Sequence, residues 1–549
     1  MIDSDLIAEV QAWIALDPDP KTASLLQGWL DSGNEVELRK SFNGFLEFGT
    51  AGLRGPVRPG PSGMNRAVVG RTAAGIAKYL TSRGLNSVVI GRDARHGSAE
   101  FMQESAEIFA GAGLEVHLLP RHLPTPLLAY AVIKLGVDCG VMVTASHNPA
   151  ADNGYKVYLG GNVDGISYRG SQIISPTDAN IAVEISKINN EQPRGSTWEI
   201  VPEAVITSYL NETAAIVKSP RDIKVIYTAM HGVGTESIQA LFLKSGYQQP
   251  ILVSAQCEPD PDFPTVAFPN PEEPGAIDLA LETAINHGAD LVIANDPDAD
   301  RCAIAAHDPI AGWRMLRGDE VGIILGYYIA TKRSELIKNG TYGNSIVSSS
   351  ALKKIATKYG IEFSETLTGF KWLAKIPNLA FGYEEAIGYC VDSKTVNDKD
   401  GLSAALMLTE CAAALKYAGS NLFEYLDEIW NEIGIHRTEA ISIRVANISQ
   451  TEEILKKIRI SPPDEIAGLR VEQIDDLLHP DADLLPTNGL RLWLADGAGR
   501  TRIIIRPSGT EPKLKCYIEV VRASGSQSDK AAADEMVLKL KNELGALLV

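Results

Sequence analysis

Three aspartates at alternating positions are the residues with the clearest capacity for chemistry. Asp296, Asp298 and Asp300 follow a strongly apolar segment in LVIANDPDADR. Three carboxylates at this spacing repel one another unless a cation gathers them, and hard oxygen ligands suit Mg²⁺. An EF-hand loop is excluded, because Arg301 stands where that loop needs Gly and His307 where it needs Glu. The pattern predicts a divalent metal site, with an acidic solvated turn as the alternative.

A second apolar segment runs into polar residues in VMVTASHNPAADNGYK. Ligands bind at the carboxyl ends of strands in α/β sheets, which is where this segment would place Ser146 and His147. A serine beside a histidine and upstream of Lys156 is suited to act as a nucleophile or as a carrier of phosphate. The segment lacks the Gly-x-Ser-x-Gly of the α/β-hydrolase elbow. Ser and Asn before Pro also form ordinary turns, so a purely structural loop is the alternative.

Two further segments carry groups suited to phosphate and hydroxyl ligands. RIIIRPSGTEPK combines a guanidinium, hydroxyls, a glycine and an ammonium in one predicted phosphate cradle: Arg506, Ser508, Gly509, Thr510 and Lys513. AFGYEEAIGY places Glu384 and Glu385 after a short strand, where a carboxylate can accept hydrogen bonds from adjacent hydroxyls. A Pro-Ser-Gly hairpin and a solvated turn are the respective alternatives. Arg54 lies in the glycine-rich GTAGLRG, whereas HGVGTES matches only part of a dinucleotide-binding pattern.

These segments must be positioned by strands and helices. Short β-branched runs that stop at Gly, Asn or Asp alternate with segments of helical period, which predicts an α/β fold with mostly parallel sheets. We expect strands at 87–91, 115–119, 139–145, 223–229, 290–295 and 379–383, and helices near 235–243, 276–286 and from 402. After about residue 434, the runs ISIRV, LRLWLA and TRIIIR precede a helix from about 529, which predicts a smaller α+β domain.

The composition limits the classes of protein. With 549 residues, the chain is long enough for about three to four domains. The 51 Lys plus Arg against 69 Asp plus Glu give a net charge of -18, which argues against nucleic-acid binding. The six cysteines are scattered singly, no signal peptide is recognised, and the longest apolar run is too short to cross a bilayer. We therefore expect a cytoplasmic protein without membrane contact; neither a monomer nor a dimer is indicated.

Taken together and in this order, TASHNP, DPDADR, GYEEAIGY and RPSGTEPK resemble the four active-site loops of the α-D-phosphohexomutase superfamily. GTAGLRG, GRDAR, TPLLAYAV and LTGFKW extend the likeness over nearly the whole chain. The resemblance implies three α/β domains and a smaller C-terminal α+β domain around a central cleft, each contributing one loop. We expect these domains at residues 1–203, 204–315, 316–433 and 434–549.

The resemblance also implies a reaction. Ser146 would carry a phosphoryl group and give it to the free hydroxyl of a sugar monophosphate. The resulting sugar bisphosphate, which is both intermediate and activator, would turn over and return its other phosphate to the serine. Mg²⁺ would neutralise charge on the transferring group and would be bound by an oxygen of the phosphoserine together with Asp296, Asp298 and Asp300.

The remaining site residues receive roles from the same resemblance. Lys156 would be the general acid or base, assisted by His147, and Arg54 would stabilise charge on the phosphoryl group. Glu384 would bind the sugar hydroxyls that are common to both orientations of the substrate. The full set expected to bind substrate is Arg301, Thr368, Gly369, Glu384, Arg506, Ser508, Gly509, Thr510 and Lys513.

The choice of sugar is open at this point. Ala386 stands where many members of the superfamily have Ser, so one contact to a sugar hydroxyl is missing. EEAIGY and LTGFKW resemble the subgroup that holds phosphoglucomutases, some phosphomannomutases and animal-type phosphopentomutases, which favours glucose over mannose or ribose. A haloacid-dehalogenase-type phosphatase with Asp296 as nucleophile would leave TASHNP and RPSGTEPK unexplained. A non-catalytic scaffold would have no need of Ser146 and Lys156.

Overall fold

A computed structural model describes residues 2–49, 52–188, 192–219, 221–480, 484–495, 497, 499–507 and 513–548. The chain divides into two compact units. The first unit comprises Met1–Met315 and Gly388–Ala413, and the second comprises Leu316–Ile387 and Ala414–Val549. In the part of the chain that the structure describes, no helix combines the length and the apolar character needed to cross a membrane.

The elements are numbered here in chain order. The helices are α1 Ser4–Leu16, α2 Pro20–Ser32, α3 Glu35–Ser41, α4 Arg66–Thr81, α5 Ser98–Gly111, α6 Thr125–Leu135, α7 Thr177–Ser186, α8 Glu203–Ala214, α9 Thr235–Lys244, α10 Asp278–His287, α11 Gly318–Lys332, α12 Ala351–Lys358, α13 Phe370–Leu373, α14 Gly401–Tyr417, α15 Leu422–Ile433, α16 Ile448–Ile460 and α17 Gln527–Leu547. The strands are β1 Leu53–Pro56, β2 Ser87–Arg92, β3 Glu115–Leu118, β4 Cys139–Val143, β5 Asp152–Leu159, β6 Asn162–Val163, β7 Ile166–Ser167, β8 Ser171–Gln172, β9 Glu199–Ile200, β10 Val225–Thr228, β11 Ile251–Leu252, β12 Leu291–Ala294, β13 Ala303–Asp308, β14 Gly312–Met315, β15 Thr341–Ser345, β16 Glu362–Thr366, β17 Leu379–Glu384, β18 Gly388–Cys390, β19 Ile435–Arg444, β20 Glu465–Ile466, β21 Leu469–Asp476, β22 Leu490–Ala495, β23 Arg500–Pro507 and β24 Lys513–Arg522.

The first sheet of the first unit has the order β1-β5-β4-β2-β3-β9, with β8 paired to β5. Its centre is parallel, because β2 pairs with β3 and β4 in that sense. The side that begins with β5 is antiparallel, since β5 pairs in the opposite sense with β1 and β4. The loop from β4 to β5 is short, and a short connection can join only antiparallel neighbours. The predicted strands β2, β3 and β4 are confirmed; β5 was not predicted.

The second sheet of the first unit repeats this plan. Its order is β11-β10-β12-β13-β14, and β10 pairs in parallel with β11 and β12. The chain then returns through a short loop into β13, which pairs antiparallel with β12. The expectation of mostly parallel sheets therefore holds only for the centre of each sheet. In both sheets, the loop at the change from parallel to antiparallel pairing carries the residues predicted to do chemistry.

The second unit contains a sheet with parallel pairing at its centre and a sheet that is antiparallel. In the first of these, β15 pairs in parallel with β16 on one side and β17 on the other. The antiparallel sheet has the order β19-β24-β23-β22-β21-β20, and α17 packs on β19 and β24. The predicted change near residue 434 to a domain of alternating strands, and the predicted C-terminal helix, are confirmed. Ser526 caps that helix by accepting a hydrogen bond from Asp529 N, which explains its start.

Asp319 gives a pH-dependent contribution to the stability of the second unit. It is buried at the start of α11, where its Oδ1 accepts hydrogen bonds from Ser349 N at 2.7 Å and Tyr383 OH at 2.9 Å. Burial raises the pKa of Asp319 to about 7. A carboxyl group whose pKa is raised on folding contributes stability that is complete below its unfolded pKa and is lost as the pH rises through the folded pKa.

We therefore expect Asp319→Asn to melt at a higher temperature relative to the native protein at pH 8 than at pH 5. The amide oxygen still accepts both hydrogen bonds, and the cost of ionising a buried carboxyl is removed. The difference in Tm between variant and native protein should grow by several °C between the two pH values, on the order expected for a pKa shift of this size. Thermal melts at both pH values measure it, and a difference that does not change with pH would contradict the expectation.

Candidate active site

Ser146 lies in the loop that joins β4 to β5 and is 3% exposed. Its backbone has a φ of 53°, a left-handed conformation that is uncommon for a residue other than glycine. Ser146 N donates to Thr144 Oγ1 at 2.9 Å, which stabilises the turn. The hydroxyl Oγ donates to Asp296 Oδ2 at 2.7 Å and lies 3.1 Å from His147 Nδ1. The serine predicted from one loop therefore meets an aspartate predicted from another.

The three aspartates lie together in the loop that joins β12 to β13. All three are buried, and one carboxylate oxygen from each lies within 4.8 Å of the others. The Oδ1 atoms of Asp298 and Asp300 are buried without a hydrogen-bond partner among the described residues. Buried oxygens of this kind are costly unless something binds them. The donor set consists of hard carboxylate oxygens, so the site fits a divalent cation such as Mg²⁺.

Two lysines neutralise these carboxylates. Lys156, in β5, is 5% exposed and places Nζ 2.7 Å from both Asp298 Oδ2 and Asp300 Oδ2. Lys399 places Nζ 3.1 Å from Asp300 Oδ2. Thr125, the first residue of α6, donates its hydroxyl hydrogen to Asp298 Oδ2 at 2.6 Å. Lys156 was predicted as a site residue, whereas Lys399 and Thr125 were not.

Burial and the neighbouring charges shift the pKa values of these aspartates in opposite directions. Burial raises the pKa of Asp296 to about 8, and the charges of Asp298 and Asp300 act in the same direction. For Asp300, burial acts upward, but Lys156 and Lys399 outweigh it and hold the pKa below its usual range. Burial opposes the ammonium of Lys156, but the neighbouring carboxylates prevail and raise its pKa. At neutral pH, the negative charges of Asp298 and Asp300 are therefore balanced by the ammonium groups of Lys156 and Lys399.

Three further predicted residues surround the serine. Arg54 donates from Nη1 to Asn148 Oδ1 at 3.1 Å, and burial lowers the pKa of its guanidinium. Arg301 lies in the aspartate loop, where its backbone N donates to Asp296 Oδ1 at 3.0 Å. Burial, with the charges of Arg301 and Arg54, holds the pKa of His147 well below its usual value, so the imidazole is neutral at pH 7. The first unit thus brings its predicted site residues together.

The second unit brings four predicted residues into two contacts. Gly369 N donates to Glu384 Oε1 at 2.7 Å, and Arg506 donates from Nη1 to Thr368 Oγ1. Gly369 has a φ of 109°, which favours glycine. Lys513 is the first residue of β24 and pairs in register with Arg444. The other predicted cradle residues lie outside the described residues: Ser508, Gly509 and Thr510.

Glu385 is held by two serines that sequence reasoning did not identify. Its Oε2 accepts hydrogen bonds from Ser348 Oγ at 3.0 Å and from Ser345 Oγ at 3.2 Å. Burial raises its pKa, and the neighbouring charge of Glu384 adds to that effect. Ala386, the departure noted in the sequence, has no hydroxyl to offer a ligand. Glu385 therefore stabilises the loop through the two serines. Glu384 instead accepts a hydrogen bond from the backbone amide of Gly369, which follows Thr368, the residue that Arg506 contacts.

Four family models match the chain in succession. Those described as phosphoglucomutase/phosphomannomutase alpha/beta/alpha domains I, II and III match residues 46–191, 207–310 and 317–433. The model of the C-terminal domain matches residues 444–536. The fold and the site define an enzyme of the α-D-phosphohexomutase superfamily, an isomerase that works as an intramolecular phosphotransferase on sugar phosphates. The chain belongs to the phosphoglucomutase/phosphomannomutase family.

Relatives named for different activities resemble the chain over most of its length. A Haemophilus influenzae protein named "Probable phosphomannomutase" is 45% identical over 480 residues, covering 86% of this chain and 96% of that protein. Phosphopentomutase of Mus musculus is 34% identical and covers 98% of this chain and 94% of its own. Phosphoglucomutase of Staphylococcus aureus is 33% identical, with coverage of 90% and 93%. The predicted superfamily is confirmed, and the names do not agree on the sugar.

A solved structure supports the fold independently. The open form of Paramecium parafusin, a phosphoglucomutase, superposes with a TM-score of 0.72 at 21% identity and covers 91% of this chain and 95% of that chain. At this identity the likeness concerns the fold alone. The predicted α/β architecture, with a C-terminal domain built on an antiparallel sheet, is confirmed.

Proposed function

We propose that this enzyme interconverts a sugar 1-phosphate and a sugar 6-phosphate, with glucose as the favoured sugar, by transfer through Ser146. The observation that carries the proposal is the 2.7 Å hydrogen bond from Ser146 Oγ to Asp296 inside a buried group of three aspartates. In the forward transfer, the bond between phosphorus and Ser146 Oγ breaks as a bond to a sugar hydroxyl oxygen forms. A sugar bisphosphate results, and its other phosphoryl group returns to the serine.

The residues of the first unit would perform the transfer. Asp296, Asp298 and Asp300, with an oxygen of the phosphoserine, would hold Mg²⁺, which when bound neutralises charge on the transferring group. As the general acid or base, Lys156 is held as an ammonium by Asp298 and Asp300, so it would give a proton to the leaving Ser146 oxygen. The assisting His147 is neutral and would take the proton that leaves the sugar hydroxyl, and both transfers are reversed in the return step. Arg54 would add positive charge beside the phosphoryl oxygens, since its guanidinium is fixed next to the serine loop by Asn148.

The residues of the second unit would hold the substrate. Glu384 would accept hydrogen bonds from sugar hydroxyls in either orientation of the substrate. Arg506, with the predicted cradle residues and Lys513, would bind the phosphate that is not reacting, because a guanidinium matches a phosphate with two parallel hydrogen bonds. Arg301, Thr368 and Gly369 complete the proposed set. The contacts of Glu384 with Gly369 and of Arg506 with Thr368 support a common substrate-binding role.

The organisation around this activity belongs to the same proposal. We assign four domains that each carry one loop: residues 1–203 with the serine loop, 204–315 with the metal-binding aspartate loop, 316–433 with the sugar-binding loop and 434–549 with the phosphate-binding loop. A cytoplasmic location is supported by the six cysteines, all of which are free thiols. Mannose 1-phosphate and ribose 1-phosphate are the second and third candidate substrates, because relatives named for all three activities match most of the chain.

Comparison of kcat/KM for glucose, mannose and ribose 1-phosphates tests the proposed substrate. Each assay contains Mg²⁺ and a trace of the matching bisphosphate, and the reverse reaction is followed from the 6-phosphate or 5-phosphate. We expect the highest value for glucose 1-phosphate, with discrimination of about tenfold or more if one hydrogen bond distinguishes the sugars. A preference for mannose or ribose would overturn glucose while keeping the chemistry. The absence of turnover on all three, with Ser146 phosphorylated, would overturn the assigned substrate class.

A further inference from the structure

Arg95 binds four backbone carbonyls, three in the serine loop and one in Asp152, the first residue of β5. Its Nη2 donates to Ser146 O at 2.7 Å and to Asn148 O at 2.6 Å, and its Nη1 donates to Pro149 O at 2.8 Å and to Asp152 O at 3.1 Å. We propose that Arg95 is a positioning residue that holds this loop in the conformation that presents Ser146 Oγ for phosphoryl transfer. The inference rests on the proposed function of Ser146.

The loop has a physical need for such a residue. Ser146 adopts a left-handed backbone conformation, which costs a serine on the order of 1 kcal/mol and persists only where the surroundings enforce it. The four carbonyl oxygens converge on this one side chain; Pro149 O also accepts a hydrogen bond from Asp152 N at 3.0 Å, and the Ser146 carbonyl is buried and needs a donor. A planar guanidinium supplies several N–H groups in fixed directions, whereas a lysine ammonium supplies three from a single atom.

Arg95 is itself held rigidly. It is 4% exposed and follows β2, which is the parallel neighbour of β4. Its Nε lies 3.4 Å from Asp93 Oδ2, and Asp93 Oδ1 accepts hydrogen bonds from Arg95 N at 2.9 Å and Ser98 Oγ at 2.7 Å. The guanidinium carbon lies 4.8 Å from the ring centroid of Phe263. The end of one strand therefore anchors the loop that follows the next strand.

The consequence for the reaction is geometric. Arg95 contacts backbone carbonyls of the loop, and none of its described hydrogen bonds reaches the Ser146 hydroxyl. If the four bonds are lost, the strained turn relaxes and Ser146 Oγ leaves its position against Asp296. A displacement of about 1 Å at a reacting atom can lower the rate of a positioned reaction by about 10²-fold. Residues of the second unit that are proposed to bind the sugar are not affected by this change.

The first experiment replaces Arg95 by Lys and by Met in the full chain and measures kcat and KM with the best sugar phosphate. We expect kcat to fall by about 10²-fold in Arg95→Met and by less in Arg95→Lys, which keeps part of the hydrogen bonding, while KM changes by less than about threefold. The matched control is Arg92→Lys, at the end of β2, where the Arg92 side chain donates to Asp93 O at 3.1 Å. The control should keep the native kcat.

A second readout separates positioning from general loss of structure. The rate at which Ser146 becomes phosphorylated by the sugar bisphosphate is followed by peptide mass spectrometry in a single turnover, alongside thermal melts. In Arg95→Ala, added guanidinium ion should enter the space left by the side chain and restore part of that rate. Slow phosphorylation at a near-native Tm, with rescue by guanidinium, supports the proposal.

Two results would overturn it, and they differ from failure of the proposed function. A native kcat in Arg95→Lys and Arg95→Met, or a loss of rate that follows loss of Tm and is not rescued by guanidinium in the folded fraction, would refute a positioning role. If the native protein itself never carries phosphate on Ser146, the proposed function fails first. In that case the variants cannot be responsible, because the native chain provides the reference.

Discussion

Ser146→Ala is expected to lose phosphoryl transfer altogether. The variant lacks the oxygen that would carry the phosphoryl group, so both halves of the reaction lose their common partner. Removal of a catalytic nucleophile lowers kcat by about 10⁴-fold or more. The fold should persist, because Ser146 is a small buried residue and Arg95 still binds the carbonyl at position 146. We would measure turnover, Tm and the incorporation of one phosphoryl group per chain.

The matched control for this variant is Ser167→Ala, which removes an exposed serine hydroxyl in β7 of the same unit. It should keep native turnover and phosphate incorporation. Retained phosphorylation in Ser146→Ala would contradict the assignment, and its location would identify the correct chemistry. A labile acyl phosphate on Asp296 would indicate the phosphatase alternative, in which the first aspartate of the buried group is the nucleophile.

The elements that were predictable from the sequence are the buried central strands. β4 and β12 are continuous apolar runs that end at polar residues, and both were expected near their observed bounds. β5 was not expected, because it begins with Asp and Asn, which favour turns, and because its strand character depends on pairing with β4 and β1. The antiparallel strands that follow the serine loop and the aspartate loop therefore depend on tertiary pairing, which the local sequence does not reveal.

The residues of the candidate site likewise divide into those that the sequence identified and those that only the fold brings together. Ser146 and the three aspartates were identifiable because each group follows a buried strand. Thr125 was not, because its partner Asp298 lies 173 residues away along the chain. Lys399 was missed in NDKD, where four consecutive polar residues precede the apolar start of α14 and all four are buried. Consecutive polar residues are usually exposed to solvent, so the burial of these four follows from tertiary packing and cannot be read from the local sequence.

Lys156→Met is expected to make the stability of the first unit strongly dependent on a divalent cation. Lys156 Nζ lies 2.7 Å from two buried carboxylates, and a methionine of similar length removes its charge while keeping its apolar stem. Removal of one partner from a buried ion pair costs about 3–5 kcal/mol, because the remaining charge stays buried without compensation. In EDTA, the variant should therefore unfold at a clearly lower temperature than the native protein.

Mg²⁺ should recover more of this loss in Lys156→Met than it adds to the native protein. A cation that binds the folded state alone stabilises it by mass action, and here it would also replace the missing positive charge beside Asp298 and Asp300. Melts in EDTA and across a Mg²⁺ titration measure the two effects. Lys134→Met, which breaks an exposed pair with Glu212, is the control and should change little under either condition. Equal sensitivity of the two variants to Mg²⁺ would contradict a shared site for Lys156 and the metal, because of the two substituted lysines Lys156 alone lies against the carboxylates that would bind the ion.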